Sequence, residues 1–133
     1  MITYKDTHDF NKSELEDLFL SVEWSSGKYP EKLVVAMKGF KTVYSAYDED
    51  KLIGMICVMD DGIMNAYIHY LLVNPKYQKL GIGKELVEMV KEKYKDYLRL
   101  AVIGYFKAEQ FYKNCGFTKS EESFPFFITS LWT

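Results

Sequence analysis

Apolar and polar residues follow two different periods along the chain, and these periods predict the order of helices and strands. Apolar residues at helical spacing predict helices over residues 13–22, from Pro30 to a stop at Gly39, and over 83–94 and 107–115. Runs rich in β-branched and aromatic residues predict strands over 2–4, 42–47, 52–59, 65–73, 97–103 and 124–132.

The links between the predicted strands indicate how the strands pair. Short polar links join the second, third and fourth strands, which favours antiparallel hairpins. The fifth strand follows a helix, so it is predicted to run parallel to the fourth. The order therefore predicts an α/β (α+β) domain around one mixed, mostly antiparallel sheet.

Two local patterns refine these elements. Ser13 and Glu16 have capping-box spacing, which predicts a helix start at Ser13. Simple alternation along 65–73 predicts that Tyr67, His69, Leu71 and Val73 share one face, with Ile68, Tyr70 and Leu72 on the other face.

A glycine-containing turn at residues 78–84 stands between a predicted strand and a strongly periodic helix. Such a turn leaves free N–H groups at the positive end of the helix dipole, which suits an anion. Lys76, Lys79 and Lys84 lie nearby in the sequence. The turn lacks the spacing of a dinucleotide site and the Gly-Lys-Ser/Thr ending of a nucleotide site. By itself it is equally typical of an ordinary strand-to-helix turn.

Length and composition exclude several classes of protein. The chain has 133 residues, which suits a single domain over 1–133, and a formal net charge of −2, which argues against a general nucleic-acid binder. We expect no signal peptide and no bilayer-spanning run, hence no membrane association. Cys57 and Cys115 lack metal-ligand spacing, so we expect two buried thiols, no metal and a cytoplasmic location.

Two separate segments together resemble the GNAT acetyltransferase superfamily. Residues 71–86 contain the family's Arg/Gln-x-x-Gly-x-Gly/Ala pattern as Gln78-Lys79-Leu80-Gly81-Ile82-Gly83. Residues 111–117 resemble its Phe-Tyr-x-x-x-Gly-Phe segment. The order of elements also matches over nearly the whole chain. The resemblance implies helices on both faces of the sheet and a V-shaped splay between the fourth and fifth strands.

The same resemblance implies acetyl-CoA as cosubstrate and a set of residues that bind it. The turn would hold the pyrophosphate, the fourth strand would pair with the pantetheine arm, and a backbone N–H near Leu71 or Leu72 would polarise the acetyl carbonyl. The cofactor-binding residues on this reading are Leu71, Leu72, Val73, Gln78, Lys79, Leu80, Gly81, Ile82, Gly83, Lys84 and Phe111. Gln78 stands where many relatives have arginine, and Phe106 where many have a pantetheine-binding asparagine.

The implied reaction is N-acetyltransfer to a primary amine, an acyltransferase reaction of the EC 2.3.1 class, by direct attack through a tetrahedral intermediate. An alkylammonium must first lose a proton, at a cost of about 4–5 kcal/mol at pH 7. His69 is the candidate base, with Tyr67 positioning a water, and Tyr112 is the candidate acid beside the coenzyme A sulfur. A structural role stays open for both His69 and Tyr112.

The acceptor is expected to be a small-molecule amine, bound by residues of the loop between the first two helices. The candidate residues are Trp24, Ser25 and Tyr29, together with Tyr67. Tyr105 and Phe106 can line the acceptor pocket or the coenzyme A path. A protein lysine or N-terminus is the alternative acceptor, and a non-catalytic acyl-CoA sensor is the alternative function. The aromatic tail 124–127 would suit a homodimer surface.

Overall fold

Five strands form one mixed sheet in the computed structural model, which describes residues 1–129 and 133. In chain order the elements are β1 (Ile2–Asp6), α1 (Lys12–Ser21), α2 (Pro30–Gly39), β2 (Thr42–Asp48), β3 (Lys51–Asp60), β4 (Asn65–Val73), α3 (Ile82–Lys93), β5 (Arg99–Val102) and α4 (Glu109–Asn114). Short 3₁₀ turns cover Ser25–Lys28, Pro75–Tyr77 and Phe106–Ala108. The strand order is β1-β2-β3-β4-β5, antiparallel except for the parallel pair β4–β5, which confirms the predicted hairpins of β2 to β4 and the predicted parallel pair.

Helices cover both faces of the sheet, and each face has its own apolar cluster. On one face α1 and α2 bury Leu15, Phe19 and Met37 against β2, β3 and Leu72 of β4. On the other face α3 buries an apolar stripe against the same strands, and this stripe comprises Ile82, Leu86, Val87 and Val90. The sheet is therefore a rigid layer between two cores, which suits it to hold functional groups in fixed positions.

The start of α1 differs from the prediction. The capping residue is Asn11 and not Ser13: the Asn11 side chain accepts from the Glu14 N–H at 2.8 Å, and the Glu14 carboxylate accepts from the Asn11 N–H at 2.9 Å. The prediction of a box at Ser13 and Glu16 was wrong because asparagine offers the same acceptor two residues earlier.

The final strand predicted at 124–132 is absent from the part of this segment that the structure describes. Residues 124–129 are not part of a strand, and Phe126 is 92% exposed. A β-prone composition does not by itself make a strand, because strand formation depends on the surrounding sheet. Residues 130–132 lie outside the described residues.

No helix formed by residues 1–129 and 133 combines the length and the apolar character needed to span a bilayer.

Candidate functional site

The sheet opens between its two parallel strands. β4 pairs with β5 over four positions, from Asn65 opposite Arg99 to Ile68 opposite Val102. β5 then ends, while β4 continues to Val73. From His69 onward the edge of β4 that faces away from β3 therefore has no strand partner among the described residues, and a V-shaped cleft begins there.

A β-bulge lies at the point where the strands part. Tyr70 pairs with Cys57 and Ile68 with Val58, so His69 is an extra residue without a partner on β3. The bulge moves the side chains after it to the opposite faces. Tyr70 packs with Leu72 on the α1–α2 side, whereas Leu71 packs on the α3 side.

The predicted grouping of Tyr67, His69, Leu71 and Val73 on one face was therefore wrong. Leu71 and Val73 pack with the α3 cluster. The His69 ring instead stacks on Phe40 of the α1–α2 cluster, at a centroid distance of 6.0 Å. Simple alternation failed because one inserted residue reverses the side-chain period.

The backbone of β4 presents hydrogen-bonding groups to the cleft. The Asn74 N–H donates to the Ile53 carbonyl of β3 at 2.7 Å. Since backbone groups alternate in direction along a strand, Leu72 also faces β3, while Leu71 and Val73 face the cleft. The Gln78 side-chain amide donates to the Val73 carbonyl at 3.0 Å, in agreement with that direction. The free cleft-facing N–H nearest the bulge belongs to Leu71.

The turn after β4 ends in an open helix N-terminus. Gly81, the N-cap of α3, has a φ of +80° and no side chain to cap the helix. The first intrahelical bond is from the Glu85 N–H to the Gly81 carbonyl at 3.0 Å. The N–H groups of Ile82, Gly83 and Lys84 therefore have no acceptor within the helix and offer an anion site.

The remaining turn residues surround this open N-terminus. Lys79, which has a φ of +70°, and Lys84 are exposed, and Leu80 is 65% exposed. Phe111 of α4 packs closely against Gly83. A Cβ added at Gly83 would lie only 3.4 Å from the Phe111 ring. The first turn of α3 is thus held to α4, which carries Tyr112.

Tyr112 lies at the end of β5, next to the opening of the cleft. Its ring presses on Gly104, where an added Cβ would lie only 2.8 Å from two ring carbons. Burial, followed by the nearby Cys115, Tyr67 and Tyr105, raises the pKa of Tyr112 to about 12. The phenol therefore stays protonated at neutral pH and can act as a hydrogen-bond donor.

The His69 ring is surrounded on one side by aromatic rings. It lies 5.7 Å from the Tyr67 ring and 4.4 Å from the Tyr70 ring, between centroids. The other side is open to solvent. Desolvation by these neighbours lowers the pKa of His69 below its ordinary value, so the imidazole is neutral at pH 7 and can accept a proton.

The loop between α1 and α2 contributes three predicted acceptor residues in different ways. Trp24 contacts the rings of Tyr70 and Tyr105 at 6.1 and 6.0 Å. Tyr29 is 44% exposed and lines a depression of about 300 Å³ with Ser26 and Tyr70. The Ser25 hydroxyl instead donates to the Thr133 carbonyl at 2.6 Å, so it holds the end of the described chain against this loop.

Sequence reasoning missed Phe40 and Tyr70 as parts of this site. Tyr70 was assigned to the opposite face because no glycine or proline marks the bulge. Its hydroxyl is 2.9 Å from the Ser26 hydroxyl and ties β4 to the α1–α2 loop. Phe40 directly follows the helix stop at Gly39, so the sequence could have indicated it only as a residue near a loop.

A sheet that opens between parallel strands beside an uncapped helix start offers hydrogen-bonding groups for an extended ligand with an anionic end. The model of the acetyltransferase (GNAT) domain family matches residues 11–126. The chain belongs to this family. Membership implies acetyl-CoA as acetyl donor and an acceptor substrate.

Known proteins from three groups of organisms are similar to this chain. GCN5-related N-acetyltransferase 2, chloroplastic, of Arabidopsis thaliana is 37% identical over 76 residues, which cover 56% of this chain and 30% of that protein. The uncharacterized N-acetyltransferase ycf52 of Pyropia yezoensis is 28% identical, with 91% of this chain and 75% of that protein covered. A GNAT family acetyltransferase of Streptococcus pneumoniae has the same fold, with a TM-score of 0.83, 25% identity and coverage of 98% and 99%.

Proposed function

We propose that the chain transfers the acetyl group of acetyl-CoA to the primary amine of a small molecule. The observation that carries this proposal is the opening of the sheet at His69. An unpaired strand edge, an uncapped helix start and a protonated tyrosine converge at that opening. Together they offer groups for an amide-containing arm, a phosphate and a thiol.

The donor would lie along the unpaired edge of β4. The cleft-facing groups of Leu71 and Val73 suit the amides of the pantetheine arm, and the N–H groups of Ile82, Gly83 and Lys84 suit the pyrophosphate. Lys79 and Lys84 add positive charge at that end, which offsets the neutral Gln78. Gln78 itself has a local partner, the Val73 carbonyl, and so fixes the path of the turn.

The acetyl carbonyl would accept a hydrogen bond from the Leu71 N–H. Such a backbone donor stabilises the negative charge that develops on the carbonyl oxygen as the amine nitrogen attacks the carbonyl carbon. The register supports Leu71 over Leu72 for this role, because the Leu72 N–H faces β3. No charged side chain is needed for this step.

His69 would take the proton that the attacking amine loses, directly or through a water near Tyr67. The neutral imidazole and its open side support this role. As the carbon–sulfur bond breaks, the Tyr112 hydroxyl would donate a hydrogen bond to the leaving thiolate. Its pKa of about 12 is well above the roughly 8.5 of a thiol, so solvent supplies the proton in the end.

The alternative acceptors and the sensor function make different predictions. A protein lysine or N-terminus needs a surface groove for a peptide, whereas the depression beside Tyr29 and Tyr70 has a volume of only about 300 Å³. A sensor would bind acetyl-CoA without turnover. The cytoplasmic location and the homodimer remain predictions from the sequence.

The test combines two measurements on the same preparation. Calorimetry with acetyl-CoA is expected to give saturable binding, and thiol release with a panel of small amines is expected to give turnover. Binding without turnover on any amine or on lysine peptides would favour the sensor. Absence of acetyl-CoA binding would contradict both functions, and turnover on peptides alone would shift the acceptor to proteins.

A further inference from the structure

Aromatic side chains from four separate segments of the chain gather on one side of His69. We call this set the aromatic box: Trp24, Phe40, Tyr67, Tyr70 and Tyr105. Trp24 contacts both Tyr70 and Tyr105, and Phe40 contacts Tyr70 with 5.8 Å between centroids. The His69 ring touches three members of the box, so the candidate base lies at its edge.

The box lacks fixed charges. Burial raises the pKa of Tyr67, Tyr70 and Tyr105, and the further neighbours that raise these pKa values are phenols and the Cys57 thiol. Lys32 is exposed and lies 5.4 Å from the ring of Tyr29, outside the box.

Two hydroxyls in the box are free to bind a ligand. The Tyr70 hydroxyl is engaged with Ser26. The hydroxyls of Tyr67 and Tyr105 have no hydrogen-bond partner among the described residues, and Tyr105 is 50% exposed. Partly buried phenols of this kind combine an apolar contact surface with a single polar group.

This combination discriminates between classes of amine. A polyamine needs carboxylates for its additional ammonium groups, and a sugar phosphate needs arginine or lysine side chains. No carboxylate, lysine or arginine is among the groups that shift the pKa values of the box tyrosines, and Lys32 lines the neighbouring depression beside Tyr29 and Tyr70. Aromatic faces attract both apolar bodies and a single ammonium group.

We propose that the acceptor is a monoamine with an aromatic or apolar body, which packs between Trp24 and Tyr105 and directs its amine to His69. This inference rests on the proposed function. In the reaction the amine nitrogen forms a bond to the acetyl carbon, the carbon–sulfur bond breaks, and the thiolate keeps the electron pair. One amine proton passes to His69 and a proton ends on the thiol.

Trp24 and Tyr105 are the residues that determine specificity on this reading. They come from two segments on opposite sides of the cleft, the α1–α2 loop and the turn after β5, and their rings meet at 6.0 Å. A bound aromatic body would replace part of this mutual contact. Removal of either ring would therefore weaken binding of the acceptor without touching the donor site.

The test compares three amines by thiol release at one pH: 2-phenylethylamine, spermidine and glucosamine 6-phosphate. We expect kcat/KM for 2-phenylethylamine to exceed the values for spermidine and glucosamine 6-phosphate by roughly tenfold or more, as one good aromatic contact allows.

Tyr105→Ala is expected to raise the KM for 2-phenylethylamine about tenfold and to leave the Kd for acetyl-CoA unchanged. Tyr105→Phe should retain most of the affinity. The control Ile63→Ala, at an exposed apolar site in the β3–β4 turn, should change neither constant.

Direct binding of 2-phenylethylamine, measured by calorimetry, separates this proposal from the proposed function. Binding that Tyr105→Ala weakens, without turnover of any amine, would support the box and contradict the transferase activity. Turnover with spermidine or glucosamine 6-phosphate as the best acceptor would overturn the box while leaving the transferase intact. A failure of 2-phenylethylamine to bind would also overturn the box.

Discussion

His69 illustrates how one residue acquires a role from its surroundings. It occupies the bulge of β4, with Phe40 stacked on its ring and solvent on its other side. Desolvation favours the neutral form of an imidazole, which lowers its pKa. The neutral form is the one that accepts a proton, so the active state extends over neutral pH and is lost as pH falls through the lowered pKa.

We predict that His69→Gln lowers kcat/KM about 100-fold at pH 7, a typical contribution of a general base. The loss should shrink toward pH 10 because the free amine then needs no base. The wild-type profile should have an acid limb below pH 6.5, the ordinary pKa of histidine, and the variant should lack it. The measurement is a pH series of thiol release. A loss of equal size at every pH would show a structural role instead.

Tyr112 gives a second prediction at this scale. Tyr112→Phe removes the hydroxyl but keeps the ring against Gly104, so packing should survive. We expect kcat to fall roughly 10- to 100-fold, as for loss of one transition-state hydrogen bond, with little change in the Kd for acetyl-CoA. Because the pKa of Tyr112 is about 12, no basic limb from this group should occur below pH 10. An unchanged kcat would remove Tyr112 from the mechanism.

At the scale of elements, two helix ends determine the position of the site. The C-terminus of α4 is closed by a left-handed residue: Gly116 has a φ of +96°, the Phe117 N–H donates to the Tyr112 carbonyl at 3.0 Å, and the rings of Tyr112 and Phe117 are 5.7 Å apart. The N-terminus of α3 begins at Gly81, where only a glycine adopts the required φ without strain. The α4 end orients Tyr112, and the α3 end leaves the N–H groups of the candidate anion site open.

Alanine substitutions at Gly81 and Gly39 form a matched pair, which tests whether the positive φ at the start of α3 requires glycine. A Cβ at either glycine meets nothing within 4 Å, but Gly81 alone has a positive φ. Gly81→Ala should therefore destabilise the protein by about 1–2 kcal/mol and lower Tm by several degrees. Gly39→Ala should cost nothing, since alanine favours the helical backbone of α2. Equal melting temperatures for the two variants would contradict the argument.

At the scale of the whole molecule, a buried hydrogen-bond network ties α3 to the sheet at the end opposite the open cleft. The Tyr94 hydroxyl donates to the Asp60 carboxylate at 2.7 Å and lies 2.6 Å from the Thr42 hydroxyl. This contact fixes the far end of the helix whose first turn forms the anion site. The position of that turn is thus supported across the length of α3.

The contribution of the Tyr94 hydroxyl can be measured by urea unfolding of Tyr94→Phe. This substitution leaves the buried Thr42 hydroxyl without its partner, so we expect a loss of about 1–3 kcal/mol in the free energy of unfolding. Tyr4→Phe is the control, because the Tyr4 hydroxyl makes no hydrogen bond to another described residue, and it should change stability little. A similar loss in both variants would mean that the network contributes nothing specific.

The sequence by itself determined the hairpins of β2 to β4, the parallel pairing of β4 with β5 and the strand–turn–helix unit at residues 78–84. It could do so because hydrophobic periodicity, glycine geometry and short polar links act locally. Tyr112 became a candidate through the resemblance of two motifs to the acetyltransferase family.

Only the tertiary structure decided which face of β4 carries His69, that Tyr70 and Phe40 belong to the site, and that residues 124–129 form no strand. A bulge depends on the register with β3, and a strand depends on a partner at the sheet edge. The aromatic box likewise unites side chains from positions 24 to 105 that share no sequence period. Non-local contacts of this kind decide the proposed acceptor side of the cleft, whereas local ones decide the proposed donor side.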